Sequence, residues 1–238
     1  MPDSWLCITC PVRDAGFCGV LLGRHSAENR LRGQPVWQDF RVARPNESIL
    51  ARGDTSEHVY VLCEGWAFRF LQLSDGRRQI VRFLLLGDLF SAVSLFAERL
   101  HFSVQALTQV RFARFRRRDV AENLAADAAL QTALATSCIE EDVGAGELLL
   151  ALGRRSAEER IAYVFVHLTK RIAARNVIRE NRYSFPLRQQ HIAALTGLTA
   201  VHVSRVLTIF RDRGLCRLSG GILDVEDPVE LERIGSVK

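Results

Sequence analysis

Residues 186–225, PLRQQHIAALTGLTAVHVSRVLTIFRDRGLCRLSGGILDV, fit two short amphipathic helices and a hairpin into forty positions. RQQHIAAL and AVHVSRVLTIFRDRG carry apolar side chains at helical spacing, and TGLT separates them. Gly197 is the residue expected in that turn, because a sharp bend between helices needs a position that tolerates positive φ. Ile192, Leu195, Leu198, Val203, Val206, Leu207 and Ile209 form the inner faces, while His202, Ser204, Arg205 and Thr208 point outward. SGG then predicts a β-hairpin. The pattern is a helix-turn-helix followed by a wing. Between Pro186 and Leu218, Arg188, Arg205, Arg211, Arg213 and Arg217 stand against one acid, Asp212. Positive charge therefore lies where the phosphates of a duplex run. The alternative is an αα-hairpin in an ordinary helical core. Turn glycine, polar outward face, flanking arginines and wing together favour DNA.

The rest of the chain is ample for a packed core: 238 residues, 48% of them hydrophobic. Net charge is +5 and the pI about 9.1, compatible with a polyanionic partner without requiring one. Six cysteines, three of them bunched, do not resemble the dense pairing of a small secreted scaffold, so the expectation is a reduced, cytoplasmic protein. No apolar run approaches the roughly 18 residues of a membrane span. No nucleophile–base pair, phosphate-binding glycine loop or carboxylate cluster points to an enzyme.

From Trp37 to Phe115 short β-rich runs alternate with turns, and Gly53, Gly65, Gly76 and Gly87 punctuate them at intervals of 12, 11 and 11 residues. That spacing fits antiparallel strands closing into a barrel or roll. From Arg118 to Arg175 the chain is proline-free and rich in Ala, Leu and Glu, which predicts helices. One of these starts at Ser156, with Glu158 and Glu159 in its first turn. Positions 130, 134, 138, 141, 145, 148 and 152 hold Leu130, Leu134, Cys138, Glu141, Ala145, Leu148 and Leu152 at spacing 4-4-3-4-3-4. They predict a self-associating helix whose seam Glu141 weakens, its charge meeting its own copy across a two-fold axis, unless it lies just off the seam in water. Cys138 is either a small apolar filler or a thiol beside that axis.

The expected fold class is α+β. An N-terminal segment (1–35) precedes an antiparallel β-roll (36–117), a long dimerisation helix region (118–153) and a winged helix-turn-helix (154–238).

HVYVLCEGWAFRF, GRRQIVRFLLLGDLFSAVSLF, SAEERIAYVFVHLTKR and LTGLTAVHVSRVLTIFRDRGL, in this order, resemble the CRP/FNR family of bacterial transcription regulators from about Cys7 to Val225. The resemblance implies a double-stranded β-helix of the cyclic-nucleotide-binding kind and a homodimer on a palindromic DNA site. It also implies one recognition helix per half-site and RNA polymerase as a partner. Arg205 matches the family's guanine-reading arginine, its fork suiting O6 and N7, and Ser204 matches a second base-reading position. Thr199, Arg188, Gln189 and Arg211 complete the expected DNA-binding set. Where the family often has a glutamate accepting from cytosine, this chain has Val201, and His202 is a substitute reader.

Two other matches are partial. Members that bind cyclic AMP follow their Gly-Glu-Leu run with Arg-Ser or Arg-Thr, and GDLFSAVSLFAERLHFSVQAL has neither, so no cyclic AMP is expected. Cys7, Cys10 and Cys18, spaced C-x2-C-x7-C, look like the ligand run of a [4Fe-4S] cluster in the FNR branch. The usual fourth ligand falls at Ala113, leaving Cys63 as the other cysteine of the roll. A cluster, a thiol–disulfide switch, zinc, or a run that merely packs are the readings these cysteines leave open.

Overall fold

The computed structural model describes residues 10–12, 16–22, 38–175 and 181–236. The chain divides into two compact units, residues 1–71 with 83–143 and residues 72–82 with 144–238.

The roll, whose residues 72–82 are counted with the second unit, has α1 (Gly16–Leu21) before strands β1 (Gln38–Ala43), β2 (Ser48–Leu50), β3 (His58–Glu64), β4 (Ala67–Gln72), β5 (Arg78–Leu84), β6 (Ser103–Ala106) and β7 (Val110–Arg116). They form two antiparallel sheets, ordered β1-β7-β3 and β2-β6-β4-β5. Gly53, Gly65, Gly76 and Gly87 all take positive φ (91°, 80°, 87° and 87°), so the punctuation seen in the sequence marks real turns. Adjacent residues of β3 and β7 are both buried (Val61 with Leu62, Phe112 with Ala113), because the β1-β7-β3 sheet has a core on each face. Leu62 and Phe112 pack inside the roll with Leu84, Phe90 and Phe102. Val59, Val61, Ala113 and Phe115 pack outward against Phe17 and Leu21 of α1. Each of the larger of these side chains, removed from water, contributes about 1.5–3 kcal/mol.

Two helices complete that outer layer: α2 (Arg117–Ala126), through Val120, and α3 (Ala128–Arg154). Asp127 starts α3 by accepting from the backbone N–H of Ala129 at 2.8 Å. The placement of α3 corrects the expected seam. Leu130 and Leu134 are 1% and 6% exposed and belong to the core of their own unit, so they are not available to a second chain. Glu141 neither meets its own copy nor stands in water. It receives Arg69 of β4 in a two-pronged ion pair, Nη1 to Oε2 at 2.9 Å and Nη2 to Oε1 at 3.0 Å. Arg69 also donates to the Phe90 carbonyl at 3.2 Å and stacks over the Phe102 ring at 4.0 Å. Leu148 is buried in the second unit, Leu152 is half-buried, and Cys138 and Ala145 are exposed. The apolar residues α3 turns outward are Ile139, Val143, Leu149 and Leu150. Ile139, Val143, Gly146 and Leu150 repeat at 4-3-4, a heptad-like spacing, roughly opposite the buried face.

The second unit holds α4 (Ala157–Ala173), β8 (Arg182–Ser184), α5 (Gln189–Thr196), α6 (Ala200–Asp212), β9 (Cys216–Ser219), β10 (Ile222–Val225) and α7 (Pro228–Gly235). Ser156 and Glu159 close a reciprocal capping box on α4: Glu159 N–H donates to the Ser156 hydroxyl, and Ser156 N–H to the Glu159 carboxylate. Phe165 of α4 meets Phe185 and Phe210 edge-on, with centroids 5.3 and 6.5 Å apart, and all three are fully buried. Phe210 takes the inner position the sequence reading gave to Ile209, which is 38% exposed. The inner face of α6 is therefore Val203, Val206, Leu207 and Phe210, spaced 3-1-3 as a helix stripe should be. Strands β8, β10 and β9 form one antiparallel sheet, and Gly220-Gly221 make its two-residue turn at φ 58° and 76°. The C-terminal helix α7 has its own signals, Asp227 as N-cap and Pro228 at its first position.

Candidate nucleic-acid interface

The two helices of the C-terminal unit, α5 and α6, are bent 105° from one another, within the range of helix-turn-helix pairs. Gly197 makes the bend possible. It caps α5 at φ 67°, ψ 23°, a left-handed conformation that a side chain would strain, and its N–H donates to Ala193 O. Thr199 then caps α6, its hydroxyl accepting from His202 N–H at 3.2 Å. Its side chain is thus engaged in starting the helix.

From this start, α6 presents Val201, His202, Arg205 and Thr208 to solvent, with Ser204 half-buried beside them. Gln189, Ala200, Val201, Ser204, Arg205, Thr208 and Ile209 line an open concavity of about 490 Å³. A second, of about 470 Å³, runs from Leu187, Arg188, Gln189 and Gln190 past Ala200 and Leu207 to Leu218, Ser219, Gly220 and Gly221. Gln189 and Ala200 belong to both, so the outward face of α6 and the wing tip form one concave strip. The wing residues of that strip were missing from the sequence-derived set, although SGG had marked the hairpin.

Its arginines differ in what holds them. Arg211 pairs with Asp212 at 2.8 Å. Arg213 reaches Glu158 at 3.4 Å and Glu230 at 3.3 Å, and Arg217 lies 3.6 Å from Glu226. Three of those four acids lie outside the segment in which one acid was counted against five arginines. Arg205 makes no ion pair among the described residues. At the start of α5, the Arg188 N–H donates to Nδ1 of His191 at 3.0 Å. Burial, with the charge of Arg188 second, lowers the pKa of His191 below its usual value, which keeps that nitrogen an acceptor.

Residues 40–127 match the family model of the cyclic nucleotide-binding domain, and residues 159–234 that of the Crp-like helix-turn-helix domain. The nitrogen fixation regulation protein FixK of Azorhizobium caulinodans is 33% identical over 173 residues, 73% of this chain and 69% of the relative. The chain belongs to the CRP/FNR family of transcription regulators. Within the family it lies toward the FixK/FNR branch. The transcriptional activator protein FnrL of Cereibacter sphaeroides is 26% identical over 90% of this chain and 85% of its own length. The structure of FixK2 from Bradyrhizobium japonicum superposes with a TM-score of 0.76 at 24% identity, covering 85% of this chain and 99% of that one. The chain is therefore a DNA-binding regulator of the CRP/FNR type, and no single described helix is long and apolar enough to cross a membrane.

The family's iron–sulfur ligands find a partial match. Cys7 lies outside the described residues. Cys10 is half-buried, Cys18 sits on α1, and Cys63 sits on β3 with its thiol 3.6 Å from the Val61 carbonyl. Cys18 and Cys63 pack against the same apolar cluster, which also holds Ala113, fully buried opposite Val61. Even so, among the described residues no three of His, Cys, Asp or Glu are grouped so as to hold a metal ion. The described thiols do not by themselves make a cluster site.

Proposed function

We propose that this CRP/FNR regulator acts as a homodimer on a palindromic DNA site and responds to oxygen or redox state through its N-terminal cysteines. One observation carries the DNA contact: Arg205 is exposed on the outward face of α6 beside Ser204 and makes no ion pair among the described residues. A fork so presented suits a guanine edge, while Arg188 and the wing meet backbone phosphates. The apolar stripe Ile139–Val143–Gly146–Leu150 supplies the surface for the second copy. Two chains joined along it would present their recognition helices to half-sites one turn of DNA apart. RNA polymerase is the natural further partner of such a dimer, and the cytoplasm its compartment.

For the signal, the C-x2-C-x7-C run supports a thiolate-held [4Fe-4S] group, Cys63 being placed on the same layer as Cys18. Ala113, fully buried where the family's fourth cysteine would stand, favours the second reading, a family member controlled by thiol oxidation or another ligand without a cluster. Nothing in residues 87–107 offers a cyclic phosphate an arginine followed by Ser or Thr, and Arg99 instead donates to the Gly53 carbonyl at 2.8 Å. We read the roll as unresponsive to cyclic AMP.

Fluorescence anisotropy with the selected palindrome, read against salt, tests the DNA reading: affinity should fall steeply as salt rises. Iron and sulfide counts on anaerobically purified protein, with Cys→Ala changes at positions 7, 10, 18 and 63, divide the two sensing readings. A protein that stays monomeric and ignores duplexes at low salt refutes the proposal.

A further inference from the structure

Val201 is the anomaly of the recognition helix. It is 63% exposed in the first turn of α6, one helical turn before Arg205 and on the same outward strip. No core depends on it: the inner face runs through Val203, Val206 and Phe210. Valine is also a poorer helix former than the straight-chain polar residues that suit an exposed first turn. An apolar, branched side chain held there has a use only if what docks on the strip is apolar at that point.

A DNA major groove offers one such feature. Of the groups that tell the base pairs apart there, all are hydrogen-bond donors or acceptors except the thymine C5-methyl. We propose that Val201 is a specificity-determining residue that packs on a thymine methyl of the half-site, at or beside the base pair that Arg205 reads. The proposal deepens the DNA-binding reading and rests on it. Valine has no oxygen to accept from the N4 amino group of cytosine or the N6 amino group of adenine, so neither gains a bond from it, and the cytosine edge would leave its donor facing a methyl. Ala200 precedes it and the hydroxyl of Thr199 is engaged by His202 N–H, so the one polar side chain competing beside it is the exposed His202, which stands about 100° further round the helix. Selection at this position is thus by methyl contact instead of by hydrogen bonding.

The test separates the methyl from the base pair. Wild-type protein first selects its half-site from a randomised duplex pool. Each thymine of that half-site is then replaced singly by deoxyuridine, which pairs identically but lacks the methyl. For the wild type, one replacement should weaken binding about fourfold, the factor that corresponds to one buried methylene-sized group. Val201→Ala should bind the same two duplexes equally. Val201→Glu, selected from the same pool, should move the preference at that pair to one presenting cytosine. Circular dichroism checks that both variants are folded, as an exposed side chain predicts. Equal binding of all uridine duplexes by the wild type, or an undiminished fourfold loss in Val201→Ala, overturns the assignment. Failure to bind any duplex defeats instead the DNA reading beneath it.

Discussion

Arg69 in the β-roll and Arg205 on the recognition helix are the same side chain put to opposite ends. Arg69 has both amino groups bonded to Glu141, a further bond to the Phe90 carbonyl and a ring beneath it, with its side chain only 12% exposed. Arg205 is exposed and has no ion-pair partner among the described residues. A fold that engages both amino groups of one guanidinium in one unit, and pairs Arg211, Arg213 and Arg217 in the other, leaves Arg205 without an ion pair among the described residues, where an external acceptor is to come. Charge count is therefore a poor guide to a nucleic-acid face. What matters is which charges the protein has already satisfied.

Replacing each arginine separately, with stability and DNA affinity both measured, should give opposite profiles. Arg69→Leu strands the Glu141 carboxylate against the roll, and losing one partner of a largely desolvated pair should cost about 2–3 kcal/mol of unfolding free energy, toward the low end because Glu141 keeps partial contact with water. Glu141→Gln should cost less, since its amide oxygen still accepts. Urea titrations followed by circular dichroism measure both. If Arg69→Leu unfolds at the wild-type midpoint, the pair is ornamental and the contrast with Arg205 disappears.

Arg205→Ala should show the reverse profile. Its stability should stay within about 0.5 kcal/mol of wild type, as for an exposed side chain with no partner. DNA affinity should fall by about 1–3 kcal/mol with relaxed preference at one base pair. Arg188→Ala should weaken all sequences about equally and flatten the salt dependence by about one unit of slope. Footprints that lose affinity at Arg205→Ala without losing discrimination would assign it to phosphate.

A third effect is smaller. Ser156→Ala removes the hydroxyl half of the capping box on α4 and should cost about 1 kcal/mol, read as a lower denaturation midpoint with unchanged DNA discrimination.

The sequence carried unequal amounts of information about these regions. Cap, turn and wing were legible because each depends on residues within a few positions: Ser156 with Glu159, Gly197 at positive φ, Gly220-Gly221 in the hairpin. The direction each face of α3 takes was not legible. Two apolar stripes run along that helix, and spacing alone cannot tell which the roll covers. Leu130 and Leu134 went to the roll, leaving Ile139 and Leu150 outside. Arg69 and Glu141 are 72 residues apart, and nothing local announces their pairing. Likewise the acids that neutralise Arg213 and Arg217 come from α4, α7 and the end of β10, so counting charge within one segment overstated its excess. The cysteine run was visible, but whether its members converge is a question of distance that spacing does not answer.

The smallest expected effect concerns His191, which links the start of α5 to the same charge balance. Its Nδ1 accepts from Arg188 N–H, and burial followed by the nearby Arg188 charge sets its pKa below the ordinary 6.5. The fold therefore favours the neutral ring. Above pH 6.5 folded and unfolded chains are both neutral at this site, and its contribution to stability is complete. As pH falls below 6.5 the unfolded chain takes up the proton first, and stability is lost progressively until the folded ring protonates as well. His58 is shifted the same way, so the wild-type curve alone does not isolate the residue. The difference between wild type and His191→Ala does: the variant should be less stable at pH 7.5, and the gap should narrow toward pH 5. A gap that stays constant across that range would mean that protonation of the ring does not weaken the start of α5, and the charge beside the phosphate path would then be free of any pH-dependent tether.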